Sequence, residues 1–495
     1  MPQPEPSLTR RIVQGAGWMV GMRFAMRGLG LVNIAVLVRL LAPEDFGLFA
    51  MAMVIVGLAE VFSTISVDEA LIRHRDPGPD DYGTAWTLRL IIASLVGLGI
   101  AGGAFPVAQF YDEPRVIPVM LVLAGLPFVR ACENIWVVEY RRDLKFHKDF
   151  QLQVIARFFG IVVGLVLAFA LRSYWALVLA ALVRAAMLVI VSYFLHPGRP
   201  RFTFACLDTY LGFSGWAVVR ALSQALTERG DRLAIGWSAG AGIMGTYAVA
   251  GDIARLAGSE LAGPLSRALQ PGYAKIQKEP ERLAGAFTVS FGLAVILTTS
   301  LCFGISATAA NFVPVVLGQQ WLASIPILQV LGLAAAGRLV TSTTFTPLLV
   351  TIGRYRELAY FRAGLAILLI VVLFGVTAQH GAIWIAWTVA SVQALGVVVG
   401  VLIVQRYLVA IGWSALGILV RCLLTGAAMY LAVYGFSTLA FVTTLPAWQQ
   451  LILQVLIGGV VYVATYFVLW NLFGRPAGPE RFLLGYARRT LAFAK

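Results

Sequence analysis

Charge is scarce in this sequence. Asp, Glu, Lys and Arg make up 13% of its 495 residues, against 59% apolar residues, and the mean hydropathy is +0.83. Soluble domains carry roughly 25% charged residues, so a water-soluble globular chain is excluded and a membrane protein is required. Cysteine is scarce too. Cys132, Cys206, Cys302 and Cys422 lie far apart, with no C-x-x-C spacing and no histidine beside them, which argues against a disulfide framework and against a metal site. No phosphate loop ending in G-K-[ST] occurs, so ATP is not the obvious energy source, and no cofactor is expected. Acid is the rarer sign, 24 residues against 38 Lys and Arg, for a net charge of +14. Such a balance can mark nucleic-acid binding, but many of these arginines sit inside apolar runs rather than on a solvated face. No nucleic-acid partner is expected.

Apolar length is what the chain has in abundance. A window of about 20 residues, enough to cross a hydrocarbon core of about 30 Å, finds candidate spans near 13–37, 46–66, 84–107, 116–138, 152–171, 174–195, 212–236, 242–262, 283–303, 323–350, 359–379, 381–405, 414–436 and 448–472. The fold class is therefore all-α and polytopic, with about 14 transmembrane helices. The stretch "NFVPVVLGQQW", Asn311 to Trp321, reads as a re-entrant or interfacial piece. Arg23 and Arg27 interrupt the first apolar run and no small-residue cleavage site closes it, so this span is expected to stay in the mature protein. With the amino terminus inside, 22 basic residues fall in inner loops and tails and three, Arg39, Arg115 and Arg172, in outer loops. That asymmetry predicts cytoplasmic N- and C-termini. The tail "ERFLLGYARRTLAFAK" from Glu480 reads either as a basic amphipathic helix on the membrane surface or as a solvated end.

The chain also echoes itself. A shift of 198 residues pairs Gly17 and Trp18 with Gly215 and Trp216, Asn33 with Asp231, Gly47 with Gly245, and Phe49 with Tyr247. Six spans per copy return the chain to the same side, so the two lobes are expected to be parallel about an axis along the membrane normal. The organisation predicted is an N-lobe over 1–200, a C-lobe over 201–408, two further spans over 409–474 and the basic tail over 475–495. One apparent motif dissolves in this frame. Gly240, Gly242 and Gly245 match G-x-G-x-x-G, but they fall in an outer hairpin between two spans rather than after a β-strand. Tight turning and close helix approach explain them better than a nucleotide.

Thirteen arginines and no lysine lie inside or at the margins of spans. A cation at a helix centre costs about 2.5–3.5 kcal/mol on insertion scales, so each must meet water, an acid or the membrane edge. Arg89, Arg157, Arg184, Arg362 and Arg421 lie near enough to span ends to snorkel. Arg23 and Arg27 share a face of the first span, Arg220, Arg229 and Arg232 lie on the seventh, and Arg255 lies on the eighth. Glu60, Glu228, Asp231, Asp252 and Glu260 offer the opposite charge, as plain partners or as sites for coupling to H+ or Na+. Mutual neutralisation explains part of this set and leaves positive charge in surplus. Guanidinium forks grip phosphate oxygens by two hydrogen bonds, so a cavity of this sign suits a phosphate-bearing anion.

"VRLLAPEDFGLFAMA" (Val38 to Ala52), "DRLAIGWSAGAGIMGTYAVA" (Asp231 to Ala250) and "EYRRDLKFHKDFQLQV" (Glu139 to Val154) together resemble the Wzx-like oligosaccharide flippases of the multidrug/oligosaccharidyl-lipid/polysaccharide exporter superfamily, in its colanic-acid and teichuronic-acid branch. The resemblance implies two six-helix lobes in a V around a central cavity lined by spans one, two, seven and eight. It implies a bacterial inner-membrane protein, not an enzyme, that moves undecaprenyl-diphosphate-linked oligosaccharide by alternating access for polysaccharide biosynthesis. Membrane lipids and the polymerase and export machinery are the partners it implies, and the cationic set above would bind the diphosphate. Two alternatives stay open, an ion-coupled multidrug antiporter of the same superfamily and a polyprenyl-dependent glycosyltransferase or polymerase. An antiporter for cations needs surplus acid, where this chain has surplus base. A transferase needs a catalytic acid or histidine in an aqueous loop, usually a long outer one. His74, His147 and His196 lie in inner loops and His380 in a tight outer turn, while the outer acids Glu44, Asp45, Asp112 and Glu113 beside prolines read as turn formers and caps.

Overall fold

The computed structural model describes residues 28, 30, 32–63, 71, 77–142, 146–207, 215–408, 414–475 and 480. Arg23, Arg27 and the tail apart from Arg475 and Glu480 lie outside the described residues, as do the side chains of Arg220 and Glu260. Every regular element among the described residues is helical. The long helices are α1 (Pro43–Ser63), α2 (Pro79–Gly102), α3 (Phe146–Leu171), α4 (Trp175–Leu195), α5 (Gly215–Ile276), α6 (Pro280–Phe312), α7 (Ser324–Val340), α8 (Tyr355–Val372), α9 (Ala382–Tyr407), α10 (Ser414–Ser437) and α11 (Ala447–Leu472). Among the described residues, eleven stretches are long and apolar enough to cross a membrane, so the chain is a polytopic all-α membrane protein. The faces they leave outside are apolar as well: Leu98 on α2, Phe169 on α3, Leu431 on α10 and Val460 on α11 are all exposed, as lipid-facing side chains are.

One sequence expectation changes in detail. The stretch expected to form one span over 116–138 is broken into Val116–Leu123, Gly125–Ala131 and a 3-10 turn at Ile135–Val137. Pro127, which has no N–H to donate, lies in its second piece. The stretch "NFVPVVLGQQW" takes a defined course. It finishes α6 through a π-turn at Val313–Leu317, reverses at Gly318 (φ 104°) and buries Trp321 completely at the start of the next helix.

The chain divides into two compact units, Met1–Ala225 with Gly240–Gly245, and Leu226–Ala239 with Thr246–Lys495. In the first, α3 and α4 pair along their length and α2 packs on Gly125–Ala131. Asp45 organises the entry to α1. One carboxylate oxygen accepts the Ala42 N–H at 3.0 Å and the other accepts the Tyr174 N–H at 2.9 Å, which ties α1 to the start of α4. Asp112 closes its helix in the left-handed conformation (φ 51°), and Glu113 pairs with Arg115 at 2.8 Å, a hydrogen bond that holds the Glu113 carboxyl below its ordinary pKa. After α4 the chain is strapped to α2: the hydroxyls of Thr87 and Thr84 accept the N–H groups of Thr203 (3.2 Å) and Cys206 (3.3 Å).

The sharpest packing in the first unit involves two glycines. A Cβ on Gly47 would lie 1.7 Å from the carbonyl oxygen of Ala241, and one on Gly245 would lie 1.8 Å from the carbonyl oxygen of Pro43. Pro43 and Ala241, like Gly47 and Gly245, stand in the same 198-residue register as the sequence echo. Each copy's glycine therefore packs on the other copy's turn, the reciprocal pattern of a two-fold contact. Gly240, the first glycine of the apparent nucleotide motif, takes φ 73° and ψ 175° and breaks α5 into two arms. Its role is conformational, since a left-handed turn of this kind is open to glycine at no steric cost.

The second unit is built on α6, which packs against α7, α10 and α11, with α9 covering α7. Its core centres on Phe287, Phe291 and Phe345, whose ring centroids lie 5.6 to 6.1 Å apart. Between α10 and α11 the Arg421 guanidinium meets Glu480 at 2.8 Å, with side chains only 4% and 1% exposed, and the Tyr466 hydroxyl donates to the same carboxylate oxygen at 2.7 Å. Snorkelling is thus the wrong account of Arg421: the acid comes to the base from the beginning of the tail. Arg362 is also buried, donating to the Thr346 hydroxyl at 3.1 Å, and Arg89 pairs with Glu133 at 3.0 Å instead of reaching for the membrane edge.

Two substitutions probe this packing. Gly245→Ala drives a methyl into backbone and lowers the thermal unfolding midpoint in detergent, by the equivalent of about 1–3 kcal/mol. Gly242→Ala, whose Cβ would sit 3.6 Å from the flexible Glu44 side chain, leaves the midpoint nearly unchanged. Glu480→Gln strands the Arg421 charge and costs about 3–5 kcal/mol of unfolding free energy in the same measurement.

Candidate functional site

The two arms of α5 fold back on each other about Gly240, and polar groups meet across the hairpin within the second unit. Arg232 on the first arm donates from Nη2 to Asp252 Oδ1 on the second arm at 2.6 Å and to the Ala248 carbonyl at 3.3 Å. Arg255, one turn after Asp252, is ion-paired to that same Oδ1. One carboxylate oxygen thus serves two guanidinium groups. Asp231 is turned the other way: it is buried and accepts a hydrogen bond from the Tyr247 hydroxyl at 3.1 Å. Gly251 keeps the space beside the pair open, since a Cβ there would already stand 3.7 Å from both Arg232 and Arg255.

A third guanidinium completes the group. Arg338 on α7 lies within electrostatic reach of Arg255 and Tyr247. Its Nε and Nη1 are buried without a hydrogen-bond partner among the described residues, and so is the Nε of Arg232. Directly after Arg338 the helix loosens into a π-turn over Thr341–Phe345, ahead of Pro347. Thr341, Ser342 and Thr344 satisfy the carbonyls of Arg338, Leu339 and Val340 through their hydroxyls. The cluster therefore holds three guanidinium groups, one exposed carboxylate and one sequestered carboxylate. Side-chain exposure is 15% for Arg232, 33% for Arg255 and 51% for Asp252, so the pair opens to one side while each guanidinium stem is packed. Each guanidinium carries five N–H donors, and two carboxylates cannot absorb fifteen of them. Chemically, such an arrangement is able to receive an anion with several oxygens through charge-assisted, bidentate contacts.

The first unit carries a second cationic group. Glu60 pairs with Arg130 at 2.5 Å, and Arg184 lies within electrostatic reach of both Arg130 and Arg157. Glu60 is thus spoken for by Arg130, which the sequence counted among the span arginines without assigning it a partner.

Of the residues singled out from sequence, the structure brings Arg232, Asp252, Arg255 and Asp231 together. Arg229 and Glu228 lie one turn earlier on the same arm, and Glu60 lies apart in the first unit. Glu228 was at salt-bridge spacing from Arg232, but Asp252 holds Arg232 across the hairpin. Sequence reasoning missed Arg338 and Tyr247 as members of the site. The place of Arg338 just before the "TSTTF" run was the available signal, because hydroxyls clustered before a span proline mark a loosened helix.

Comparison with known proteins places this geometry. The family described as "Polysaccharide biosynthesis protein" matches residues 36–326. Relatives include the lipopolysaccharide biosynthesis protein WzxC of Escherichia coli (strain K12), 25% identical over 66% of this chain and 67% of that protein. The succinoglycan biosynthesis transport protein ExoT of Rhizobium meliloti (strain 1021) is 24% identical over 70% of each chain. The teichuronic acid biosynthesis protein TuaB of Bacillus subtilis (strain 168) is 20% identical over 92% of this chain and 95% of its own. In fold the chain is similar to the lipid II flippase MurJ in an inward closed conformation, with a TM-score of 0.72 at 13% identity, covering 91% of this chain and 98% of MurJ. It is also similar to a multidrug resistance MATE transporter of the MOP superfamily in an inward-facing conformation, with a TM-score of 0.53 at 15% identity, covering 77% and 94%. With most of its length matched, this chain belongs to the polysaccharide biosynthesis protein family, and it has a MurJ-like arrangement of membrane-spanning helices.

Proposed function

We propose that this protein is a flippase that carries a polyprenyl-diphosphate-linked oligosaccharide, with undecaprenol as the lipid, from the cytoplasmic to the periplasmic leaflet of the bacterial inner membrane. The observation that carries the reading is that Arg232 and Arg255 share the exposed carboxylate of Asp252, with Arg338 within electrostatic reach of Arg255. A diphosphate brings the oxygens that these donors lack. Asp252 then acts as the stand-in ligand of the unloaded protein, displaced or shared when the substrate arrives. Arg23, Arg27, Arg220 and Arg229 extend the cationic surface in this proposal, and Glu228 and Glu260 are partners or coupling groups for H+ or Na+.

Sugar hydroxyls and diphosphate cannot cross hydrocarbon unaided, because each polar group would lose its water. Guanidinium forks replace that water for the head, while the polyprenyl tail stays in lipid. Alternating access between an N-lobe over 1–200 and a C-lobe over 201–408 would then move the head across. The family and the names of the relatives support polysaccharide assembly as the pathway. A cation antiporter of the same fold is the weaker reading, because base outnumbers acid in the cluster.

The test is transport in proteoliposomes loaded with a labelled undecaprenyl-diphosphate oligosaccharide, read by the label's accessibility on each face. Arg255→Ala and Arg232→Ala each lower the flipping rate by about 10-fold or more, the loss expected from one charge-assisted bidentate contact, with insertion and abundance unchanged. Wild-type rates in both variants, or efflux of cationic dyes in place of flipping, overturn the assignment. Imposing a proton or sodium gradient in the same vesicles separates coupled from downhill transport.

A further inference from the structure

Between α8 and α9 lies an open groove of ≈ 470 Å³ that the transport reading does not use. It belongs wholly to the second unit. Each wall is a single stripe, with Phe361, Leu365 and Leu368 on α8 and Leu395, Val399 and Ile403 on α9. Spacings of three, four and eight residues keep each set on one helix face. Gly364 opens the wall between Phe361 and Leu365: a Cβ there would meet nothing within 4 Å, so this glycine leaves free space instead of permitting close packing.

The groove is apolar along its length and polar at one end. There the Tyr407 hydroxyl donates to Glu357 Oε1 at 2.9 Å, Arg354 Nη1 lies 3.4 Å from the same oxygen, and the Arg354 guanidinium stacks 4.7 Å from the Tyr407 ring centroid. Glu357 is thereby answered twice. Arg406, which lines the mouth beside Tyr360, is exposed and makes no ion pair among the described residues. Arg354 and Arg406 against Glu357 leave a surplus of one positive charge at the mouth, and Arg356 adds to it from the adjoining turn.

Length fits the same picture. From Glu357 to Leu368 the α8 stripe rises about 16 Å at the helical repeat, and half of a hydrocarbon core is about 15 Å. The groove is therefore long enough for an acyl chain of one leaflet, with its cations and tyrosines gathered at one end. The geometry points to a binding site for an anionic glycerophospholipid of that leaflet. Its phosphate contacts Arg406 and Arg354, and one acyl chain lies along the stripe over Gly364. A zwitterionic lipid fills the apolar part equally well, so the preference for negative charge rests on Arg406. Free phosphate shares only the head end and lacks the chain that holds the lipid in place.

Native mass spectrometry of the purified full chain, released from detergent with phosphatidylglycerol, phosphatidylcholine or inorganic phosphate, tests this. Wild type retains phosphatidylglycerol about fivefold better than phosphatidylcholine, the contribution of roughly one interfacial arginine, and inorganic phosphate alone is not retained. Arg406→Gln abolishes the preference and keeps the chain-dependent binding. Gly364→Leu fills the groove and cuts retention of both lipids severalfold, with an unchanged unfolding midpoint. Equal retention of the two lipids by wild type, phosphate retained as well as phosphatidylglycerol, or wild-type behaviour in both variants each overturns the site.

Discussion

A guanidinium group inside a membrane span has to be met by oxygen, and the way this chain meets that demand organises the rest. In water an arginine is solvated from every side; in hydrocarbon each unmet donor is a free-energy cost. The protein answers differently at different depths of its packing. Arg421 receives a whole buried carboxylate from Glu480, and Arg362 receives a threonine hydroxyl. Arg232 and Arg255 have to share one oxygen of Asp252, and two nitrogens of Arg338 find no hydrogen-bond partner among the described residues. Arg421 thus has a buried carboxylate of its own, whereas the guanidinium groups at the α5 hairpin divide one between them.

The hairpin depends in turn on backbone that only glycine supplies. Gly240 turns the chain so that residues 231 and 232 stand opposite 247, 248 and 252. Without that reversal Asp252 would meet only its own-helix neighbour Arg255, and Arg232 would have no partner from the second arm. A stretch that reads superficially as a nucleotide loop is therefore what assembles the cationic cluster.

Much of this was legible in the sequence, for a physical reason: hydrophobic length and charge placement are local properties. Spans, the hairpin at Gly240 and the Asp252–Arg255 pair all follow from spacing along one helix. What required three dimensions was partner choice. Arg232 has Glu228 at helical spacing and takes Asp252 instead, because the second arm presents that carboxylate across the turn. Arg421 sat close enough to a span end to snorkel, yet an acid 59 residues later is folded in to meet it. Arg338 was visible only as one cation among thirteen, since its neighbours come from another helix. Pro127 was read through as part of a continuous span, although its missing N–H lies in the part of that stretch where the helix is divided.

The reciprocal seating of Gly47 and Gly245 bears on how the faint 198-residue echo has persisted. Duplicated segments drift apart freely wherever each copy rests on unrelated surroundings, because a change in one is absorbed without reference to the other. Here each glycine lies against the carbonyl of its counterpart's turn. Neither copy can grow a side chain unless its sister retreats, so divergence is halted at these two positions while the flanking apolar residues are left free to be exchanged.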